Sequence, residues 1–105
     1  MRVIDTKTAD WTEKRPGWKG VVFSSDNMTF AHWRFAKGST IHAHDHIQEE
    51  VWHLVEGELE ATVAGETRTV RPGAVLILPA NTQHQVTALS DGFAIVADYP
   101  LRPGF

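Results

Sequence analysis

From Gly20 onward, apolar and polar residues alternate with a period of two over most of the chain, the pattern of strands that bury one face. GVVFSS runs to the turn pair Asp26-Asn27, and MTFAHWRFA follows, with aromatic rings at alternating positions and a stop at Lys37-Gly38. These segments predict two antiparallel strands. ELEATVAGETRTV alternates polar and apolar residues on both sides of Ala64-Gly65-Glu66 and reads as a hairpin. AVLILP, between the turn Arg71-Pro72-Gly73 and Pro79, predicts a short buried strand; HQVTALS and, past Ser90-Asp91-Gly92, FAIVADY complete the set. Strands this short, repeating every eight to twelve residues or so, build a sandwich or a barrel. No heptad or long helical period competes, so helix is expected at most in a turn near the N-terminus. The expectation is an all-β domain of about eight to ten strands.

Two flanks depart from the alternation. Residues 1–19 carry Trp11 and Trp18 among charges and the break Pro16-Gly17, which predicts an irregular or edge arm whose tryptophans pack on the barrel. PLRPGF is too rich in proline to extend a strand. The expected layout is therefore one domain over residues 1–105, with a core near 20–98, an arm at 1–19 and a tail at 99–105.

Chemistry concentrates between Gly38 and Gly57, in GSTIHAHDHIQEEVWHLVEG. His42, His44 and His46 share one parity, so an extended chain sends all three to one face, about 7 Å apart, and two imidazoles at that spacing can converge on one metal ion. Glu50 has the same parity, but four residues of straight strand would carry it about 13 Å past His46, so a bend is required around Ile47 to Glu49. Glu49 and His53 have the opposite parity and should face away. Trp52 and Leu54 share Glu50's face and read first as core. His42 stays open between a polar rim residue, a further ligand and a proton shuttle, and a register using His42 and His44 as the ligand pair is not excluded by parity.

Composition narrows the partners. The 105 residues suit one domain, 42% apolar and 22% charged content is ordinary for a globular chain, and a net charge of -3 offers no basic footprint for nucleic acid. MRVIDTKTAD lacks the apolar core of a signal peptide and the longest aliphatic run, Val75 to Leu78, cannot span a bilayer, so a cytoplasmic protein with no membrane partner is expected. With no cysteine, any metal must take nitrogen and oxygen ligands.

The spacing Gly38, five residues, His44, one, His46, three, Glu50, six, Gly57 resembles the first motif of the cupin superfamily. Gly73, five residues, Pro79 and then His84 resemble the second, with Asn81 where glycine is usual and Ala88 where asparagine is usual. Asn tolerates the left-handed conformation that such a glycine adopts. The resemblance covers about residues 20–98 and implies a jelly-roll β-barrel of two antiparallel sheets, with a metal held by His44, His46, Glu50 and His84. Three imidazoles and a carboxylate suit divalent iron, manganese, nickel, cobalt, copper or zinc, and an octahedral ion would keep two positions for small ligands.

The end of the chain, FAIVADYPLRPGF, bears a looser resemblance to tails of pectin-degradation-type cupins, which close with an aspartate, an aromatic, a proline and an arginine; here these are Asp98, Tyr99, Pro100 and Arg102. That resemblance implies Asp98 as an acid/base and Arg102 as a carboxylate clamp, against the plain reading of Asp98 as a strand-end turn residue. His32 and Arg34 alternate with Trp33 and Phe35, so one pair must face inward. An inward Arg34 would bind a substrate carboxylate, whereas inward aromatics would put it outside. The candidates for catalysis are thus Asp98, Arg34 and His42. The expected protein is a metal-dependent isomerase or lyase for a small sugar acid or keto acid, with an iron or nickel dioxygenase and a non-catalytic binding module as alternatives. Open sheet edges further suggest a homodimer.

Overall fold

The alternating segments form ten strands, and the computed structural model, which describes residues 1–105, contains no helix. In chain order these are β1 (Thr12–Arg15), β2 (Trp18–Ser24), β3 (Thr29–Phe35), β4 (Thr40–His44), β5 (Glu49–Glu56), β6 (Leu59–Val63), β7 (Glu66–Val70), β8 (Val75–Leu78), β9 (His84–Ala88) and β10 (Gly92–Tyr99). Six make one antiparallel sheet in the order β1-β2-β3-β10-β5-β8, and four make a second in the order β4-β9-β6-β7. The two sheets enclose one interior: the all-β architecture that the strand pattern predicts, in the jelly-roll form that the cupin resemblance implies. Hairpin β6–β7 closes on Ala64 and Gly65, whose φ values of 48° and 83° match the two left-handed positions of a type I′ turn.

Period-two alternation gives each strand an inward row, and the register aligns these rows into layers. β3 points Phe35, Trp33, Ala31 and Thr29 inward. Beside them β10 places Ala94, Val96 and Asp98, which pair with Trp33, Ala31 and Thr29 on one side and with Leu54, Trp52 and Glu50 of β5 on the other. Across the barrel, β9 presents Ala88, Val86 and His84 opposite Leu59, Ala61 and Val63 of β6. The rows of β3, β10, β5 and β9 therefore run from apolar residues at one end of the barrel to a polar or charged residue at the other, while the β6 row stays apolar.

The apolar end is built on aromatic rings. Trp18 is fully buried, meets Trp33 and Trp52 edge-on at 6.2 and 5.9 Å, and lies 5.2 Å from Phe35. Trp18 thus belongs to the core and opens β2, rather than lying in the arm. Gly20 conceals the inward row at this point, because a Cβ there would come within 2.5 Å of the Trp33 ring and only glycine leaves that room. Trp11 does remain outside, 6.3 Å from Phe93.

β8 also departs from expectation. It pairs only with β5, at the edge of its sheet, and Val75 and Ile77 are 48% and 59% exposed. A run of four aliphatic residues looks buried on both faces, yet here only Leu76 and Leu78 turn toward the core.

Candidate metal centre

The polar end of the interior draws side chains from both sheets. β4 pairs with β9 at Thr40↔Thr87 and Ile41↔Val86, then at His44↔His84, so β4 carries one more residue than its partner between Ile41 and His44. This is a β-bulge, and it breaks the parity. Ile41 and His44 both turn toward the interior, while His42 is left exposed. The imidazole of His42 therefore lies outside the cluster, correcting the single-face reading of the three histidines. Only its backbone takes part: the carbonyl of His42 is 2.8 Å from Nδ1 of His44.

His46 lies just beyond β4, where the chain bends through Ile47 and Gln48 before β5 begins. Two contacts hold the bend. Asn81 N–H donates to the His46 carbonyl at 2.8 Å, and the buried Gln48 amide donates to the Leu101 carbonyl at 2.9 Å. Asn81 has φ 56°, so asparagine does occupy the left-handed position where glycine is usual. The bend brings Glu50 back to the inward row, opposite Asp98 in the register.

Three rings meet there. The ring centroids of His44, His46 and His84 lie 5.5, 4.4 and 5.0 Å apart, and one ligand atom from each falls within 4.8 Å of the others. Each Nδ1 faces a backbone carbonyl at 2.8 to 3.0 Å, of His42, Gln48 and Thr82 respectively. Those carbonyls require a proton on Nδ1, which leaves the Nε2 lone pairs directed inward. Burial is the main cause that lowers the His46 and His84 pKa values, with Arg102 adding to it, so both rings favour the neutral form that a metal ligand needs.

The bare lone pairs then face a carboxylate. Glu50 Oε2 is 3.5 Å from His84 Nε2, and Glu50 Oε1 is 3.8 Å from His46 Nε2. Both Nε2 atoms are buried without a hydrogen-bond partner. Lone pairs opposed to a carboxylate in a dry site repel one another unless a cation lies between them. The donor set, three imidazole nitrogens and a carboxylate oxygen, fits a divalent transition metal ion.

A second carboxylate completes the cluster. Asp98 is fully buried, and its side chain reaches into the barrel rather than capping a turn. Burial first, and then the neighbouring Glu50, push its carboxyl up to about 7, while Arg102 pulls the other way. Arg102 Nη1 donates to Glu50 Oε1 at 3.1 Å and to Asp98 Oδ2 at 3.3 Å. Trp52 Nε1 donates to Glu50 Oε2 at 3.0 Å, which leaves Asp98 Oδ1 as a buried acceptor without a partner. The tail brings Arg102 here by folding back over the barrel mouth. Its backbone N–H donates to Thr29 Oγ1 at 2.9 Å, its guanidinium lies 4.4 Å over Phe105, and Phe105 packs 5.9 Å from Trp33.

Arg34 takes no part. It is exposed on the outer face with its guanidinium 4.7 Å over Trp11, because Trp33 and Phe35 fill the interior and an inward guanidinium would be buried without a partner. Glu49 and His53 also point outward, as their parity requires. A residue without any sequence signal joins the cluster instead. Arg15, at the end of β1, lines the cavity that His44, Glu50, His84 and Arg102 enclose. No fixed spacing ties it to the histidine motifs.

The chain is similar to several known proteins. The uncharacterized protein SCO3923 of Streptomyces coelicolor is 30% identical over 70 residues, covering 67% of each chain. The structure of KdgF from Halomonas sp. superposes with a TM-score of 0.91 at 24% identity, over 98% of this chain and 96% of that one. An RmlC-like cupin from Shewanella frigidimarina gives a TM-score of 0.91 at 20% identity, covering 98% and 94%. At such identities the two superpositions establish a shared fold. The family model described as "Cupin domain" matches residues 31–98, a span that holds both histidine motifs, Glu50 and Asp98. With that match and this barrel, the chain belongs to the cupin family.

Proposed function

We propose that the protein is a metal-dependent isomerase or lyase acting on a small sugar acid or keto acid, with the ion held by His44, His46, Glu50 and His84. The observation that carries this reading is the pair of buried Nε2 lone pairs facing Glu50 beside a second, protonatable carboxylate. A divalent ion bound there would act as a Lewis acid toward a carbonyl or hydroxyl oxygen.

The remaining work falls to the chain's own groups. Asp98 carries a proton close to neutral pH and leaves Oδ1 free of protein partners, so it can deliver or accept a proton. Arg102 bridges Asp98 and Glu50 and holds the two carboxylates in register. Trp52 fixes one oxygen of Glu50, and Trp33 with Phe105 restricts water at the mouth. The resemblance of the tail to pectin-degradation-type cupins supports the roles given to Asp98 and Arg102.

The test is turnover of a panel of unsaturated uronates and keto acids by purified protein. Activity is expected to vanish with EDTA, to return with a divalent ion, and to be equal with and without oxygen. Asp98→Asn should lower kcat by about 10²- to 10⁴-fold with the metal still bound. Full activity in metal-free protein, or oxygen consumed in step with product, would overturn the reading.

A further inference from the structure

Two spaces meet at the candidate centre, and they differ in size and lining. The inner cavity between the histidines, Trp33 and Phe105 offers about 10 Å³, room for a single water or one ligand atom. Outside it, between the β1–β2 turn and β4, lies a groove of about 710 Å³. Arg15 and His44 line both. A substrate of several carbons does not fit the inner cavity, whereas the groove has room for one.

The groove is polar. Ser39 and Thr40 line it, their hydroxyls hydrogen-bonded to the Ala36 carbonyl and to Thr87 Oγ1, and the exposed His42 lines it as well. Arg15 brings the one cationic side chain to this wall. No ion pair engages that guanidinium, although five N–H donors in a planar fork are suited to a carboxylate. Like charge makes the deficit sharper: burial and the nearby Arg102 both lower the Arg15 pKa, and Glu50 only partly opposes them. Arg102 already bridges two carboxylates, whereas Arg15 lines the groove without an ion pair.

We propose that Arg15 is a substrate-binding residue that takes the carboxylate of a hydroxylated sugar acid lying in the β1–β4 groove, with His42 and Thr40 beside its hydroxyls. This rests on the metal-site reading and selects the sugar acid over the smaller keto acid. A carboxylate on Arg15 leaves the rest of the molecule along the hydroxyl-lined wall, and one oxygen can reach past His44. The outward turn of His42 at the bulge then acquires a use in contacting substrate.

Calorimetric titration of Co(II)-loaded and metal-free protein with D-galacturonate, methyl D-galacturonate and D-galactose tests this. The wild type should bind galacturonate at least about tenfold more tightly than its methyl ester or galactose. Arg15→Gln should reduce that preference to under about twofold while leaving methyl ester and Co(II) binding unchanged. Arg15→Lys, which keeps the charge without the fork, should retain an intermediate preference and also guards against a folding defect in the glutamine variant. The inference is overturned if Arg15→Gln keeps the tenfold preference, or if the wild type does not discriminate the acid from its ester. Failure to bind Co(II) would instead overturn the metal reading, while the metal-free titration would still decide the role of Arg15.

Discussion

The two ends of the barrel interior are built on the same strands in the same register, yet they obey opposite rules. At one end Trp18, Trp33, Trp52 and Phe35 pack ring against ring, and a single polar atom, the indole N–H of Trp18, lacks a partner. At the other, two residues beyond Ala31, Val96, Trp52 and Val86, the inward rows reach Thr29, Asp98, Glu50 and His84, and three buried polar atoms are left unsatisfied. Burial of apolar area stabilises the fold without any ligand. Burial of lone pairs and paired carboxylates works against it until something binds. The contrast teaches that the aromatic end carries the stability and that the polar end is tolerated for its chemistry.

Breaking the aromatic end should have the largest effect. Trp18→Ala removes a ring that touches three others and should reduce unfolding free energy by about 3–5 kcal/mol, measured by urea titration. The same loss is expected with and without metal; a loss confined to the metal-bound form would mean that the two ends are not separable. Breaking the polar end should show the converse. At a Co(II) concentration near 100 times its dissociation constant, the wild type should gain about 2.7 kcal/mol, whereas His84→Ala should gain less than about 1 kcal/mol. Equal thermal shifts on adding Co(II) to both proteins would remove His84 from the ligand set.

How far this contrast can be read in the chain depends on the range of the interactions. Rows such as Leu54, Trp52, Glu50 are legible because a strand's period is local and the hydrophobic face is continuous. His44, His46, Glu50 and His84 were identified through motif spacing, since their glycines and bend lie close in the chain. The bulge in β4 was not legible. Parity counting assumes a regular ladder, and the extra residue appears only against β9, more than forty positions away. Arg34 illustrates a different limit: alternation showed that one pair faces inward, and the volume of the interior chose the aromatics. Arg15 and Arg102 come from opposite ends of the chain, and tertiary folding alone brings them to one mouth. The tail resemblance anticipated Arg102, and nothing local anticipated Arg15.

The last test concerns pH, and it sharpens the contrast because the carboxyl and the imidazoles at the polar end act in opposite directions. Asp98 is raised from 3.8 to about 7, so the folded metal-free protein holds a proton that the unfolded chain has released across that window. Its contribution to stability is fully present below about pH 4 and is lost as pH rises toward 7. His46 and His84 are lowered from 6.5, so the unfolded chain binds protons first, and their contribution is lost as pH falls below the ordinary imidazole value. Asp98→Asn retains the histidine effect and removes the carboxyl effect. In EDTA, the melting temperature of the wild type minus that of Asp98→Asn should therefore fall steadily between pH 4 and 7 and then level off. A difference independent of pH would mean that the proton does not reside on Asp98, and would overturn its acid/base role.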